Sequence, residues 1–153
     1  MTAAFDHLAP LGPIQYLTIH CTATPEGRDN SAAEVTRWDI ERFGQPSYHW
    51  TIELDGTAVA TLPESRKGAH TGKRNSGNIG ISYVGGTEAL NAGGKPKDTR
   101  TTAQKVTLLG LVRDYKRRFP SITVLGHRDW PGVAKVCPSF NVASWLRAEG
   151  LQK

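Results

Sequence analysis

Short β-rich runs alternate along this chain with segments that carry helix-start signals, and this alternation limits the fold more than any other feature. The first run, Ile14 to Cys21, is continuously apolar in its middle, which is typical of a strand buried at the centre of a sheet. Similar runs occupy residues 78–84 and 122–125, and Asp55-Gly56 separates two more in the manner of a hairpin turn. The pattern predicts a mixed β-sheet.

Helix signals lie between these runs. Ser31 with Glu34, and Thr101 with Gln104, have the spacing of a capping box, in which each residue bonds the backbone N–H of the other. A third helix is expected over residues 141–149, just before a glycine. The chain therefore predicts about three helices packed on the sheet.

The length of the chain suits one core. With 153 residues, 38% of them hydrophobic, we expect a single α/β (α+β) domain over residues 1–153. Residues 1–13 are poorly patterned, and residues 87–100 are polar and glycine-rich, as in a surface loop.

Two histidines lie where strands are expected to end, and one cysteine follows the second of them. His20 closes the run YLTIHC, and His127 and Cys137 lie in GHRDWPGVAKVCPSF. Imidazole and thiolate are ordinary zinc ligands, and three protein ligands leave a fourth position for the water of a catalytic site. Taken singly, the residues suit a hydrogen-bonded histidine and a buried apolar cysteine equally well. Together they predict a zinc hydrolase with its metal at the strand ends.

Charge and hydropathy limit the partners. The chain has 19 Lys and Arg residues against 14 Asp and Glu residues, a formal charge of +5, without the dense basic runs interleaved with aromatics that track nucleic acid. A polyanion such as a bacterial wall fits this charge. No apolar run approaches the ~20 residues of a membrane span, and no export signal is visible. We therefore expect neither nucleic acid nor membrane as a partner, and a monomer. Cys21 and Cys137 are expected to remain thiols rather than form a disulfide.

Five sequence blocks also follow one another in a characteristic order. They are TIHCTAT, SYHWTIELDGT, GAHTGKRNSGNIGISYVGG, TTAQ, and GHRDW followed by AKVCPSF. In this order the chain resembles the N-acetylmuramoyl-L-alanine amidases of the phage lysozyme type, relatives of the peptidoglycan-recognition proteins, over about Tyr16 to Trp145. The resemblance implies an enzyme that cuts the amide bond between the lactyl group of N-acetylmuramic acid and the L-alanine of the stem peptide.

The resemblance also implies roles for individual residues. His20, His127 and Cys137 are the implied Zn²⁺ ligands. Tyr48 and Lys135 match the tyrosine and lysine that act beside the metal, orienting water or donating a proton, and placing a cation against the developing oxyanion.

Two further positions match residues that face the substrate groove of the family. His70 and Asn78 are implied to bind substrate, although His70 would serve equally well as a loop cap and Asn78 as a strand start. By strand alternation, His49 and Cys21 are expected to point away from the site, as a packed histidine and a free buried thiol.

Several functions remain open at this point. A related chain could bind muropeptides without cutting them, and loss of the cysteine ligand would mark that class, yet Cys137 is present. Some amidases of this type also regulate a phage RNA polymerase. A glycosidase would need paired carboxylates, and Glu53, Asp55 and Asp129 form no evident pair in the sequence.

The favoured interpretation is a phage or prophage endolysin acting on bacterial peptidoglycan. Such a protein would accumulate in the cytoplasm of the infected bacterium and reach the wall without a signal peptide of its own. An antibacterial effector delivered between cells would have the same chemistry.

Overall fold

The first strand of the chain forms the middle of a five-stranded sheet. In this computed structural model, which describes residues 5–152, the strands of the sheet are β1 (Tyr16–Cys21), β3 (Trp50–Ile52), β4 (Ala58–Ala60), β5 (Asn78–Tyr83) and β7 (Thr123–Gly126). Their order is β4-β3-β5-β1-β7. Leu17 and Ile19 of β1 are fully buried, so the prediction of a buried central strand is confirmed.

The sheet is mixed, as predicted. Strands β1, β3, β5 and β7 are parallel to their neighbours, whereas β4 returns antiparallel to β3. The connection between β3 and β4 contains the predicted Asp55-Gly56 turn, where Gly56 has a φ of 91°. That left-handed conformation is one that glycine adopts without steric cost. A short second sheet pairs β2 (Thr24–Pro25) with β6 (Gly86–Thr87).

The three helices begin where the capping signals place them. They are α1 (Ala32–Phe43), α2 (Thr102–Arg118) and α3 (Val142–Ala148). Ser31 and Thr101 are the N-caps of α1 and α2, and both capping boxes are present. Each box satisfies backbone N–H groups that have no partner inside the helix.

Helix α2 packs on the sheet through a stripe that the sequence identifies only in part. The sequence predicts an apolar stripe of Val106, Leu109, Val112 and Tyr115, or else one of Leu108, Leu111 and Phe119. Leu108, Val112 and Tyr115 are buried in the core, whereas Val106 is 68% exposed. The face is set by Gln104, whose side-chain amide is fully buried and donates to the carbonyls of Ile52 and Val84 at 3.2 and 3.0 Å. Helical periodicity from that anchor selects the buried face.

The segments without clear pattern are tied to the fold. In the amino-terminal segment, Leu11 is 2% exposed and belongs to the main core. Residues 1–4 of that segment lie outside the described part of the chain. The predicted loop over residues 87–100 contains a short 3₁₀ turn at Leu90–Ala92 and an antiparallel bridge between Thr87 and Pro96. Between residues 5 and 152, no helix has the length and apolar character needed to cross a membrane.

Candidate metal centre

Parallel pairing of β1 with β7 brings the two predicted histidine ligands together. The register pairs Ile19 with Gly126, so His20 and His127 are the next residue on each chain segment. Because parallel strands end at the same edge of a sheet, the two imidazoles meet there, with ring centroids 4.6 Å apart. Sequence order alone places His20 at the carboxyl end of one strand and His127 directly after another, and the strand pairing makes them neighbours.

Cys137 completes the cluster from the loop that follows β7. Its Sγ lies 3.7 Å from Nδ1 of His20, and the ligand atoms of His20, His127 and Cys137 all lie within 4.8 Å of one another. Around a tetrahedral zinc, bond lengths of about 2.1 Å to nitrogen and 2.3 Å to sulfur separate the two atoms by about 3.6 Å. The donor set and its spacing therefore fit a zinc ion.

The surroundings of the cysteine contain one contact that suits a thiolate and a neighbour that opposes it. The backbone N–H of Cys21 donates to Sγ of Cys137 at 3.2 Å, and such a bond stabilises negative charge on sulfur. The neighbouring Cys21 thiol and burial raise the pKa of Cys137 well above its usual range, whereas the pKa of Cys21 is lowered. Without a metal Cys137 therefore keeps its proton, which a bound zinc would displace. Cys21 itself is a free, buried thiol, as predicted.

Both histidine ligands are held neutral. Burial lowers the pKa of His20 well below its usual value, and electrostatic interaction with His70, His127 and Lys135 lowers it further. Burial and Lys135 also lower the pKa of His127. Neutral imidazole offers a free lone pair, so at neutral pH neither ligand needs to lose a proton before it binds a metal.

His70 contacts the cluster from behind. Its Nδ1 lies 2.9 Å from Nε2 of His20, and its Nε2 lies 3.1 Å from the carbonyl oxygen of Asn78. The ring is almost completely buried, although one edge lines the groove described below. Its substrate-binding role stays a prediction.

Asn78 lies deeper than His70. It is fully buried, its Oδ1 accepts from the hydroxyl of Thr18 at 2.8 Å, and its Nδ2 donates to the carbonyl of Arg74 at 2.7 Å. Both polar ends of the side chain are thus engaged within the protein. Substrate binding by Asn78 also stays a prediction.

The structure adds a buried polar link that sequence reasoning missed. Thr18 accepts from the indole N–H of Trp130 at 2.9 Å while donating to Asn78. Trp130 follows the 3₁₀ turn that contains His127, so the link joins β1 and β5 to the segment carrying a ligand. Thr18 is two residues before His20 on β1, and the period of two would have placed both on one face.

Tyr48 lies beside the predicted metal position, just before β3. Its ring centroid is 5.2 Å from that of His20. Burial, together with electrostatic interaction with Asp39, raises the pKa of the Tyr48 phenol well above its usual range. The hydroxyl therefore keeps its proton at neutral pH and can donate it.

A groove of about 510 Å³ opens beside the cluster, bordered by His127 and His70. Four of its lining residues are cationic, and none is acidic; the cations are Arg42, Lys73, Arg74 and Lys135. Lys135 is exposed on the segment between His127 and Cys137. The groove can hold an anionic ligand next to the cluster.

The other candidate residues have structural partners. His49 is fully buried, accepts from the N–H of Gly80 through Nδ1 at 3.0 Å and donates to the carbonyl of Arg66 through Nε2 at 2.7 Å. It is therefore a packed histidine, as predicted.

The three carboxylates considered for a glycosidase also contact backbone. Glu53, Asp55 and Asp129 accept from the N–H groups of Ala32, Thr57 and Gly126 at 2.7, 2.9 and 2.8 Å. Acceptors used to cap turns and a helix start are not poised as an acid and base pair.

Comparison with known proteins identifies curated relatives. The chain is 30% identical over 130 residues to the endolysin of Enterobacteria phage K11, a match that covers 84% of this chain and 83% of the relative. It is 31% identical over 128 residues to the endolysin of Klebsiella phage KP32, covering 83% and 82% of the two chains. The endolysin of Escherichia phage T7 is 29% identical over 128 residues, again covering 83% and 82%.

Solved structures share the fold at lower identity. The endolysin amidase LysCS from Clostridium intestinale superposes with a TM-score of 0.77 at 21% identity, over 95% of this chain and 89% of that chain. Drosophila PGRP-LB superposes with a TM-score of 0.69 at 17% identity, over 99% and 94%.

The family assignment rests on the match that spans both the sheet and the cluster. Residues 10–140 match the family described as N-acetylmuramoyl-L-alanine amidase. That range contains His20, His127 and Cys137, and two curated relatives that match at 30% and 31% identity are phage endolysins. The chain is a peptidoglycan hydrolase and belongs to the N-acetylmuramoyl-L-alanine amidase family.

Proposed function

We propose that this chain is a zinc-dependent endolysin in which His20, His127 and Cys137 hold the metal and Tyr48 and Lys135 act on the amide. The observation that carries the proposal is the convergence of three zinc-type ligand atoms within 4.8 Å, beside a groove without acidic lining residues. Stem peptides of peptidoglycan carry carboxylates, so a cationic groove suits them as ligands.

The metal would supply electrophilic and nucleophilic chemistry in one place. When bound, zinc polarises a carbonyl and lowers the pKa of water from ~15.7 to ~7. Three protein ligands leave room for that chemistry, whereas a structural zinc has four protein ligands.

The chain's own residues would then act on charge and protons. Tyr48, which keeps its phenolic proton, donates a hydrogen bond towards the oxygen that becomes negative as the carbonyl turns tetrahedral. Lys135, carried on the exposed segment beside His127, brings a positive charge to the same oxygen. Donors aimed at developing charge contribute typically ~10² to 10³ in rate each.

Mass spectrometry of digested peptidoglycan tests the bond that is cut. We expect released stem peptides that begin with a free L-alanine amino group, and glycan strands that stay long. New reducing sugar ends without free L-alanine would contradict amide cleavage. If zinc-loaded protein bound the wall tightly but left it uncut, that result would instead support the alternative of a module that binds peptidoglycan without cutting it.

Metal content and two variants test the mechanism. We expect about one zinc per chain and loss of activity on chelation. Lys135→Ala and Tyr48→Phe should each keep zinc while turnover falls by about 10² or more. Lys105→Ala, which removes an exposed lysine from α2, is the matched control and should retain activity. Near-wild-type rates in both site variants would remove them from the mechanism.

Release and assembly are proposed on the same basis. Four curated relatives are phage endolysins, and we propose that this chain too accumulates in the infected bacterium as a monomer and reaches the wall when the membrane is opened. Expression alone should then leave cells intact, and co-expression of a pore-forming protein should lyse them. Sedimentation of the purified protein tests the monomer.

A further inference from the structure

His70 is a buried histidine that contacts a proposed metal ligand through its ring. Nδ1 of His70 lies 2.9 Å from Nε2 of His20, the nitrogen of that ligand that faces away from Cys137. The carbonyl oxygen of Asn78 lies 3.1 Å from Nε2 on the other side of the His70 ring. The three groups form one line from the backbone of β5 to the cluster.

The direction of the hydrogen bonds in this line follows from the carbonyl at its end. A carbonyl oxygen can only accept, so Nε2 of His70 carries a proton and donates it to Asn78. A neutral imidazole then has an unprotonated Nδ1, which can only accept. One hydrogen lies between Nε2 of His20 and Nδ1 of His70. Because Nδ1 of His70 can only accept, this hydrogen is bonded to Nε2 of His20.

This arrangement leaves the other nitrogen of His20 free. With its proton on Nε2, neutral His20 has its lone pair on Nδ1, which lies 3.7 Å from Sγ of Cys137. We propose that His70 is a positioning residue that holds His20 in the tautomer and orientation needed to bind zinc. The proposal rests on the proposed zinc site and assigns His70 a role other than substrate contact.

The surroundings of His70 hold its ring in place. A Cβ on Gly80 would lie 2.6 to 2.8 Å from three atoms of the His70 ring, and one on Gly68 would lie 2.9 Å from Cδ2, which is one of the same three atoms. Both glycines therefore allow the ring to lie directly on the backbone. Oδ1 of Asn75 accepts the backbone N–H groups of His70 and Thr71 at 3.0 and 2.9 Å, which ties down the loop that carries the histidine.

The Thr71 hydroxyl lies at the same contact. It is 2.7 Å from Nδ1 of His70 and 3.4 Å from Nε2 of His20. Because a hydroxyl both donates and accepts, it fits the proposed proton arrangement but does not by itself select it. Partners of this kind orient metal-binding histidines, and their loss typically weakens metal binding by about 10- to 100-fold.

Variants at position 70 separate this role from simple packing. An asparagine places Oδ1 near the position of Nδ1 and can accept from His20, whereas glutamine carries its amide one carbon further out. We expect His70→Asn to bind zinc within about threefold of wild type, and His70→Gln and His70→Leu to bind about 10- to 100-fold more weakly. Competition with a chromophoric chelator measures these affinities, and circular dichroism confirms that each variant is folded.

A variant that leaves the imidazole intact gives a second test. Gly80→Ala adds the Cβ that collides with the His70 ring, so it should weaken zinc binding although every proposed ligand remains. Thr123→Ala, at an exposed position on β7, is the control and should bind zinc as wild type does. Wild-type affinity in folded His70→Leu, or equal losses in the Asn and Gln variants, would overturn the proposal.

Nuclear magnetic resonance tests the proton positions without any substitution. In ¹⁵N-labelled wild-type protein at pH 7, both His20 and His70 should show the Nε2–H tautomer, before and after zinc is added. A proton on Nδ1 of His70 would refute the proposed arrangement. Failure of wild-type protein to bind zinc, with both tautomers as expected, would count against the proposed metal and leave the His20–His70 contact intact.

Discussion

Replacing Thr18 by valine tests the buried link that holds the His127 segment against the sheet. Thr18 is fully buried, and its hydroxyl both accepts from the indole of Trp130 at 2.9 Å and donates to Asn78 at 2.8 Å. Valine keeps the shape of the side chain, so the change removes the two hydrogen bonds and little packing. In the variant, the indole N–H of Trp130 and Oδ1 of Asn78 lose these hydrogen-bond partners in a buried part of the protein, away from water.

The size of the effect follows from those two groups. A buried polar group without its partner costs about 1–3 kcal/mol, and Asn78 keeps its second bond to the Arg74 carbonyl. We therefore expect Thr18→Val to lower the free energy of unfolding by about 2–4 kcal/mol. Zinc affinity should fall as well, because Trp130 directly follows the turn that carries His127.

Urea unfolding of the zinc-free protein, followed by circular dichroism, measures the first effect as a lower midpoint at unchanged slope. Thr123→Val, the same substitution at an exposed position of β7, is the control and should change stability by no more than about 0.5 kcal/mol. In the double variant with Trp130→Phe the two costs should not add, because each substitution removes one partner of the same bond. A loss no larger than that of the control would refute the reasoning.

Three further predictions follow from the site and the caps. Cys137→Ser should weaken zinc retention strongly, since a serine hydroxyl is not deprotonated as a bound thiol is; the matched variant Cys21→Ser should retain about one zinc per chain, and equal metal content in the two proteins would remove Cys137 from the site. Lowering the pH below about 6.5 should destabilise the zinc-free protein, because four histidines have a lower pKa in the folded state than in the unfolded state and so bind protons more readily when unfolded. They are His20, His49, His70 and His127. Burial raises the pKa of Asp39 to about 6, so below that pH its protonation stabilises the folded state and opposes the effect of the histidines. The free energy of unfolding should therefore change by at most about 4 kcal/mol per pH unit. A urea midpoint that is constant between pH 7 and 5 would contradict this prediction. Ser31→Ala should cost about 0.5–2 kcal/mol by removing the cap of α1, with Ser121→Ala on the exposed surface as control in the same urea titration.

Local signals predicted the elements of this protein because the interactions behind them span only a few residues. Each capping box joins residues three apart, as Ser31 and Glu34 do, and the Asp55-Gly56 turn reverses the chain within four residues. The same locality explains why His20 and His127 were placed correctly at the carboxyl ends of their strands. Their chemistry, with that of Cys137, was enough to predict a zinc-type ligand set and, with the ordered blocks, the amidase family.

Contacts between distant parts of the chain were decided only by the tertiary structure. Sequence periodicity left two possible stripes on α2, and the burial of Gln104 against the carbonyls of Ile52 and Val84 selected the packed face. The sequence offered His70 as a loop cap or a groove residue, and only the fold shows that its ring lies 2.9 Å from His20, 50 residues away.

The metal centre shows the division most clearly. The sequence supplies the ligand types and the strands that carry them, but the distances among them depend on which strands pair and in which register. Pairing of β1 with β7 puts His20 beside His127, and the following loop returns Sγ of Cys137 to within 3.7 Å of His20, across 117 positions of sequence. Those pairings are chosen by the burial of the whole sheet, a property of the packed core that no local pattern contains.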